Sequence, residues 1–524
     1  MAVNRYLEAI FMKPLVQLLA VEASPPSLQD NTGDLDRLKK TLLPLLEQEV
    51  LSVPYARTMT VAESFRRADF KGVAVVNDLV TGPELVDFLA EPPKVLAGVA
   101  LDLGTTHLEA TLVDLVSGEI LARANRPNSQ IVFGADILSR IHFAVKDDGL
   151  EQLHRVVIED VNWLCEELAG DVGLELLDLR ALSVSGNTTM VHFFLNLNPY
   201  HLCREPYIPL VNAPDPCRAT DLSLAIHPAA VVWVLPSVGS YFGGDLISGI
   251  LASGLDEAEH TSMLIDVGTN AEVVLGNREW LVACAGAAGP ALEGGVARMG
   301  MRAGPGAIEH VSFDEKSGAL HCQTIENEPA VGICGSGIID LVAALYLGRI
   351  IDRRGKFRPE AAGDRLIETS EGTAFVVVPA EHAGGGKPVT LGQIDLDALM
   401  RSKAAMYSIL TTLVNQVGVG FADIHRIFVA GAFGRHIAPR QAITLGMLPD
   451  LPIETYQPVG NSSLDGARRI LLERSARNRC RQLVKKITYI ELNVNQEFML
   501  RFSGAKFIPH TDHNLFPSVP FFDD

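Results

Sequence analysis

The arrangement of apolar and polar positions changes near residue 97 and becomes more regular after it. Before it, the polar, proline-led stretch Pro25–Leu42 runs into a predicted helix, and the apolar run Phe70–Val80 predicts a strand. After it, strand-like apolar runs and helix-like stretches follow one another regularly. The pattern predicts a small α/β module followed by a larger α/β region.

Two stretches of the larger region have the apolar spacing of long amphipathic helices. One of them is Leu396–Val417, where apolar residues recur three and four positions apart. The other lies in the first half and has a similar stripe, formed by Leu150, Leu153, Val157, Val161, Leu164 and Leu168. Because the two stretches occupy corresponding places in the two halves, they indicate an internal repeat.

The strand pattern is repeated as well. The segments Val99–Ala124 and Met263–Ala285 each read as an apolar strand that ends in an aspartate, a Gly-Thr turn and a hairpin. The two aspartates are Asp102 and Asp266. Each hairpin is followed later by a strand that passes through a glycine turn into a helix. We therefore expect two related α/β lobes with a cleft between them.

These patterns divide the chain into four predicted parts. They are a linker with a small α/β domain (1–96), a first α/β lobe (97–260), a second α/β lobe (261–480) and a C-terminal extension (481–524). The regular pattern ends after Arg479, and the alternation within Ile487–Ile508 predicts an appended β-hairpin.

Charge and composition narrow the class of protein. The formal net charge of −19 disfavours nucleic acid and anionic membranes as partners, because binding to phosphate backbones and acidic headgroups needs clustered Lys and Arg. The longest uncharged run, Leu222–Gly244, contains prolines and reads as a buried strand with loops rather than a membrane span. With no export signal evident, we expect a cytoplasmic protein.

The number and spacing of the cysteines indicate whether disulfides or a zinc site are expected. They are odd in number, scattered and without a Cys-x-x-Cys pair, so they predict neither a disulfide framework nor a structural zinc site. They are Cys165, Cys203, Cys217, Cys284, Cys322, Cys334 and Cys480.

The turn after Asp102 suggests phosphate chemistry. A carboxylate at the end of an apolar strand must meet water, a metal or a hydrogen-bond donor, because burying it unpaired is costly. Gly104 allows close approach of a ligand to the backbone, and Thr105 and Thr106 add hydroxyl donors. Such a set suits a hydrated Mg²⁺ bridged to phosphate oxygens. One such turn is also common in ordinary hairpins, but its repetition at Asp266 favours the phosphate interpretation.

Two further glycine turns allow two interpretations each. The turn Gly431–Gly434 precedes a predicted helix and is either a close-approach site for a nucleotide or a plain strand–helix connection. The segment Gly332–Asp340 opens a helix and serves either anion binding or tight helix packing. No Walker-type phosphate loop occurs in the sequence, which disfavours a P-loop enzyme.

From Gly98 to Glu473 the sequence resembles the superfamily of acetate and sugar kinases, heat-shock-70 proteins and actin. In the resemblance, Asp102–Thr106 is the first phosphate motif, Asp266–Asn270 the second and Gly431–Gly434 the adenosine motif. It implies two ribonuclease-H-like lobes around a nucleotide cleft, preceded by a small α/β domain, with Asp102 and Asp266 as catalytic residues and metal ligands. The nucleotide-binding residues it implies are Gly104, Thr105, Thr106, Gly186, Asn187, Thr188, Gly268, Thr269, Asn270, Gly335, Ser336, Gly337, Gly431, Ala432, Phe433 and Gly434.

Within this superfamily, the sequence resembles the reductive activators of corrinoid proteins. The ordered segments that carry it include "ALDLGTT", "GADILSRI", "SGNTTMVHFF", "IDVGTNAEVVLG", "GICGSGIIDL" and "VAGAFGRHI". It implies ATP and Mg²⁺ as cofactors, a corrinoid protein as partner, and reduction of cobalt(II) to cobalt(I) for methyl transfer. We also expect a homodimer.

One departure from the family pattern concerns the electron path. Such activators typically begin with a domain that holds a 2Fe–2S cluster on closely spaced cysteines, whereas the first cysteine here is Cys165. We therefore expect no iron–sulfur cluster in this chain and a separate iron–sulfur protein as electron donor. The alternatives are that the chain is a cluster-free paralogue or that it is an excised fragment of a longer protein.

Two other functions remain open. A small-molecule kinase of the same superfamily would need a catalytic base, for which Asp245 is the candidate; its alternative role is helix capping. A nucleotide-binding regulatory subunit would need no turnover.

Overall fold

The computed structural model describes residues 13–268, 270–286, 297–301, 303–314, 319–431, 434, 437–492 and 495–522. Its contacts group the chain into two units, Met1–Ala252 with Ser463–Lys485 and Ser253–Ser462 with Lys486–Asp524. The four-part division inferred from the sequence stays a prediction.

The first unit begins with the expected small α/β domain. Its antiparallel sheet has the order β1-β2-β3, and two helices cover it. Phe65 packs edge-on against Phe70 and Phe88 in its core, with ring centroids 5.0 and 4.9 Å away. The elements are β1 (Val16–Glu22), α1 (Asp34–Leu46), α2 (Tyr55–Arg67), β2 (Lys71–Leu79) and β3 (Gly82–Leu89).

A six-stranded sheet of order β6-β5-β4-β7-β9-β8 follows in the same unit. Strands β4, β5 and β6 form an antiparallel meander. Strand β7 runs parallel to β4, and β9 runs parallel to β7. The elements are β4 (Ala97–Leu103), β5 (His107–Asp114), β6 (Ile120–Pro127), α3 (Ile137–Ala144), α4 (Gly149–Asp171), β7 (Leu179–Gly186), α5 (Thr188–Phe194), β8 (Cys217–Arg218), β9 (Val231–Val234) and α6 (Gly244–Ser253).

The second unit has its own six-stranded sheet, of order β20-β19-β10-β11-β12-β21, and two smaller sheets, β14-β13-β15 and β16-β17-β18. Its elements are β10 (Ser262–Val267), β11 (Ala271–Gly276), β12 (Leu281–Gly286), β13 (Ala307–Asp314), β14 (Ala319–Thr324), β15 (Gly332–Ile333), α7 (Gly335–Leu347), α8 (Pro359–Ala362), β16 (Leu366–Thr369), β17 (Gly372–Val378), β18 (Val389–Gly392), α9 (Gln393–Gln416), β19 (Arg426–Ala430), α10 (Pro439–Thr444), β20 (Tyr456–Gly460) and β21 (Ile487–Tyr489).

The two large sheets share the order of five of their six strands, which confirms the predicted pair of related lobes. In each, the central strand is flanked by an antiparallel hairpin on one side and by two successive parallel strands on the other. The sixth strand lies beyond the parallel pair in the first sheet (β8) and beyond the hairpin in the second (β21). The central strands, β4 and β10, are those that carry Asp102 and Asp266.

Two helices return the chain to the first unit: α11 (Ser462–Leu472) and α12 (Arg474–Lys486). They are joined to the small domain, where Asp78 accepts hydrogen bonds from Arg474 and Arg477. Because Asp78 is buried, the two guanidinium groups offset the cost of desolvating its carboxylate.

The appended hairpin predicted for Ile487–Ile508 is wrong. The segment forms the short strand β21 and then a helix, α13 (Gln496–Ala505). The Asn495 side chain caps this helix by accepting hydrogen bonds from the first backbone N–H groups. Phe498 and Phe502 pack on the hydrophobic core of the second unit. Their spacing of four residues places them on one face of a helix, whereas a strand would bury every second residue.

Among the helices in the described part of the chain, none combines the length and the apolar character that crossing a membrane would require.

Candidate functional site

Asp102 is the penultimate residue of β4 and is half-buried. The register places it opposite Glu109 of β5 on one side and Ser185 of β7 on the other. Like charges opposite each other in a ladder are unfavourable without a cation or donors nearby. Glu109 was not among the predicted site residues, although the alternation of the hairpin places it on the same face as Asp102.

The turn after β4 is shaped by Gly104. A Cβ at this position would lie 2.3 Å from the backbone oxygen of His107, so only glycine fits without a shift. The Asn128 amide donates to the Gly104 oxygen at 2.9 Å and helps to fix the turn. Gly104 is therefore required by the packing of its own turn, and its role in phosphate binding stays a prediction.

Asn187 joins the predicted Gly186–Thr188 segment to this turn. Its Nδ2 donates to Thr105 Oγ1 at 3.0 Å, while its Oδ1 accepts from the backbone N–H of Met190 and caps α5. Thr188 instead donates its hydroxyl to the Gly239 oxygen at 3.0 Å. The structure thus brings Asn187 to the Asp102 turn and engages the Thr188 side chain elsewhere.

Three buried serines form a chain of hydroxyl groups that reaches Asp102. Ser463 Oγ donates to Asp102 Oδ1 at 2.6 Å, Ser185 Oγ lies 2.8 Å from Ser463 Oγ, and Ser248 Oγ lies 2.8 Å from Ser185 Oγ. Sequence reasoning missed all three, since nothing local marks a contact between residues 361 positions apart.

Asp245 lies in the first turn of α6, where its Oδ1 accepts from the backbone N–H of Leu246 at 2.9 Å. An ideal Cβ at Gly243 would lie 2.5 Å from Asn187 Cα and 2.6 Å from Asp245 Oδ1. The carboxylate is therefore near the Asn187 turn and accepts a hydrogen bond from the N–H of the next residue. Its candidate role as a base stays a prediction.

The second turn repeats the first one in the second unit. Asp266 is the penultimate residue of β10 and faces Glu272 of β11 in register. The backbone N–H of Gly268 donates to the Asn270 oxygen at 2.9 Å, and Asn270 is exposed. Thr269 lies outside the described residues.

Gly431 follows β19 directly and lies against this turn. Its φ of +73° favours glycine, and a Cβ there would be 2.8 Å from Asp266 Oδ1. At Gly434 a Cβ would be 2.1 Å from the Val429 oxygen, so this glycine is required by packing on its own strand. Ala432 and Phe433 lie outside the described residues. The adenosine role of the segment stays a prediction.

The turn that opens α7 shows close packing. A Cβ at Gly337 would lie 2.0 Å from the Ile308 oxygen, and Ser336 Oγ lies 3.2 Å from Cys334 Sγ. These contacts favour the packing interpretation for Gly337. The nucleotide role of Gly335, Ser336 and Gly337 stays a prediction.

The donor set at the two turns fits Mg²⁺. Carboxylate and hydroxyl oxygens are the hard ligands this ion prefers, and it usually keeps several waters instead of being enclosed by protein groups. Glu109 beside Asp102 and Glu272 beside Asp266 concentrate negative charge at each strand end. Among the described residues, no group of three His, Cys, Asp or Glu side chains is placed to hold a metal ion.

The cysteines are all free thiols, and burial raises the pKa of five of them. Desolvation raises the pKa of Cys165 and Cys480 to about 12 and that of Cys217 to about 11. It also raises the pKa of Cys284 and Cys322. Since the thiolate is the form that binds metal, these environments oppose iron ligation.

Two sheets with the same order of five strands, each with an aspartate near the end of its central strand, define a protein of the acetate and sugar kinase, heat-shock-70 and actin superfamily. Family models match three consecutive regions: "RACo linker region" at residues 7–89, "RACo middle region" at 97–258 and "C-terminal domain of RACo the ASKHA domain" at 260–520. The chain belongs to the family of reductive activators of corrinoid proteins.

Individual relatives agree with this membership. The solved structure of a "Reductive activator for corrinoid,iron-sulfur protein" is 39% identical with a TM-score of 0.89, covering 97% of this chain and 81% of that chain. The "Corrinoid activation enzyme RamQ" of Eubacterium limosum is 31% identical over 484 residues, covering 89% of this chain and 79% of the relative. A "[Co(II) methylated amine-specific corrinoid protein] reductase" of Methanosarcina barkeri is 26% identical over 420 residues, covering 75% and 73%.

Proposed function

We propose that the protein is an ATP-dependent activator of a corrinoid protein, which couples ATP binding and hydrolysis to reduction of cobalt(II) to cobalt(I) in a methyl-transfer system. The observation that carries this proposal is the similarity, over most of the chain, to proteins named for corrinoid activation and for reduction of a cobalt(II) corrinoid protein. The paired aspartate turns supply the nucleotide chemistry that such coupling requires.

Each turn contributes one carboxylate and a set of donors. Asp102 and Asp266 would hold the water shell of Mg²⁺, and the bound ion would neutralise phosphate charge as the γ-phosphate leaves. The Thr105 hydroxyl and the backbone N–H groups behind each aspartate are the donors for phosphate oxygens. Gly104 and Gly431 preserve the shape of the two turns, because a side chain at position 104 would meet the His107 oxygen and one at position 431 would meet the Asp266 carboxylate.

The energetic role of ATP follows from the difficulty of making cobalt(I). An activator that binds the cobalt(I) form of its partner tenfold more tightly than the cobalt(II) form raises the one-electron potential by about 59 mV. ATP binding would create the conformation with that preference, and hydrolysis to ADP and phosphate would release it. The protein must therefore favour different partner states before and after hydrolysis.

The electron would come from a separate iron–sulfur protein. Burial keeps most of the cysteines protonated, and their positions in sequence do not form a cluster-binding loop. We further propose that the protein acts as a homodimer in the cytoplasm.

ATP turnover distinguishes this function from the alternatives. Phosphate release is measured with ATP alone, with candidate metabolites, and with each candidate corrinoid protein in the cobalt(II) state. Stimulation by a corrinoid protein supports the activator, whereas transfer of phosphate to a metabolite supports a kinase with Asp245 as its base. Nucleotide binding without turnover under all three conditions supports a regulatory subunit.

A further inference from the structure

We infer that Ser463 is a positioning residue for Asp102 and fixes the carboxylate for binding of the Mg²⁺–nucleotide complex. The inference deepens the proposed function and rests on it. Its basis is the 2.6 Å hydrogen bond from Ser463 Oγ to Asp102 Oδ1, which has the short length of a hydroxyl bonded to an ionised carboxylate.

The direction of the whole serine chain follows from proton counting. A hydroxyl has one proton to donate, and a carboxylate only accepts. Since Ser463 donates to Asp102, Ser185 must donate to Ser463 and Ser248 must donate to Ser185. Three aligned donors thus end on one oxygen, and each polarises the next, which favours one orientation of the ionised side chain.

The packing shows that this contact is built into the fold. Ser185 and Ser248 are fully buried, and Ser463 is 6% exposed. Gly466 lies one turn after Ser463 on the same face of α11, and a Cβ there would lie 2.4 Å from Ser248 Cα. Helices α11 and α6 therefore meet at a glycine, and this brings the three hydroxyls within hydrogen-bond distance.

The position of Ser463 in the chain gives the contact a further consequence. It is the first residue with which the C-terminal segment rejoins the first unit. The orientation of Asp102 is therefore set by a segment far away in sequence, in addition to the strand on which it lies.

Loss of the Ser463 hydroxyl should lower the affinity for the divalent ion more than the affinity for the nucleotide. Groups that orient a ligand side chain typically change metal affinity by about 10- to 100-fold when they are replaced. We expect S463A to weaken binding of the divalent ion in the ternary complex at least tenfold. Nucleotide affinity in EDTA should stay within about twofold, because Ser463 contacts the carboxylate and not the nucleotide donors.

The experiment titrates Mn²⁺, as an EPR-visible substitute for Mg²⁺, into the full chain with a non-hydrolysable ATP analogue. The variants are S463A, the volume-matched S463C, which lacks a strong donor, and the conservative S463T, which keeps the hydroxyl. S462A is the matched control, because Ser462 is the buried neighbour whose Oγ has no hydrogen-bond partner. Thermal unfolding of each variant checks the fold, and S463C decides the question if S463A does not fold.

The expected result is weaker Mn²⁺ binding in S463A and S463C, recovery in S463T and no change in S462A. Wild-type Mn²⁺ affinity in S463C, measured on folded protein, would overturn the positioning role while leaving the proposed function standing. A wild-type chain that binds no Mn²⁺–nucleotide complex would instead overturn the proposed function together with this inference.

Discussion

Gly431 lies against the carboxylate of Asp266: an ideal Cβ on the glycine would be 2.8 Å from Asp266 Oδ1 and 3.2 Å from the Val267 oxygen. The glycine turn and the second aspartate turn are therefore parts of one structure, although 165 positions separate them in the sequence numbering (431 against 266). Any side chain at position 431 must displace this carboxylate or the backbone beside it.

This contact predicts the effect of Gly431→Val. The substitution should raise the dissociation constant for ATP measured with Mg²⁺ by about tenfold or more, because the new side chain collides with Asp266 and a β-branched residue is strained at positive φ. Isothermal titration calorimetry measures the change.

Gly418→Val is the matched control for backbone strain. Its φ of +71° is close to that of Gly431, and a Cβ there would have no heavy atom within 4 Å. The control should lose stability without losing nucleotide affinity. Equal affinities for all three proteins would mean that Gly431 has only an architectural role.

Asp102→Asn and Asp266→Asn should each lower Mg²⁺-dependent ATP hydrolysis by at least tenfold without unfolding the protein. Both side chains are half-buried at strand ends, and asparagine keeps the shape while removing the charge that attracts the metal. Steady-state phosphate release at several Mg²⁺ concentrations is the measurement. Asp147→Asn, in an exposed loop, is the control for loss of one negative charge. Unchanged hydrolysis in both strand-end variants would remove the metal-site argument.

The purified chain should be colourless and contain no stoichiometric iron, even when it is prepared anaerobically. Burial raises the pKa of Cys165, Cys217 and Cys480 and keeps these thiols protonated. Iron analysis and visible absorption measure this directly. With ATP, a corrinoid protein and a chemical reductant alone, cobalt(II) should remain largely unreduced. Stoichiometric iron, or cobalt(I) formed under those conditions, contradicts the separate electron donor.

Stability should fall as the pH drops from about 6.5 to about 4. Burial, with the charge of Lys403 nearby, lowers the pKa of His510 to about 4, so the unfolded chain takes up a proton over this range and the folded chain does not. The loss should be about 1–2 kcal/mol, since the ring is partly exposed. Urea unfolding at a series of pH values measures it. His510→Asn should flatten the slope, while His201→Asn, which changes an exposed histidine, should keep it.

The sequence predicted the site features that are formed by consecutive residues. Asp102 and Asp266 stand out because strand, carboxylate and glycine turn are consecutive, and a second copy gives the pattern a meaning that one copy lacks. The presence of two related lobes follows from the same repeat, whereas the order of strands within each sheet was not predicted.

Features made by distant segments could not be read in this way. Ser463 reaches Asp102 only because α11 packs on α6 at Gly466, and no local signal marks that meeting. The C-terminal segment misled for a different reason: the exposed Leu500 falls midway between Phe498 and Phe502, so that apolar residues recur at every second position as they do in a strand.

The most direct test of the central claim follows cobalt(II) by EPR in the complete system. The mixture contains this protein, a cognate corrinoid protein, an iron–sulfur electron donor and a low-potential reductant under anaerobic conditions. The account predicts that the paramagnetic cobalt(II) signal disappears only when Mg²⁺ and ATP are present, and that it persists when Asp102→Asn replaces the wild-type chain. Equal loss of the signal without ATP, or with the variant, would contradict the proposed coupling of ATP to cobalt reduction.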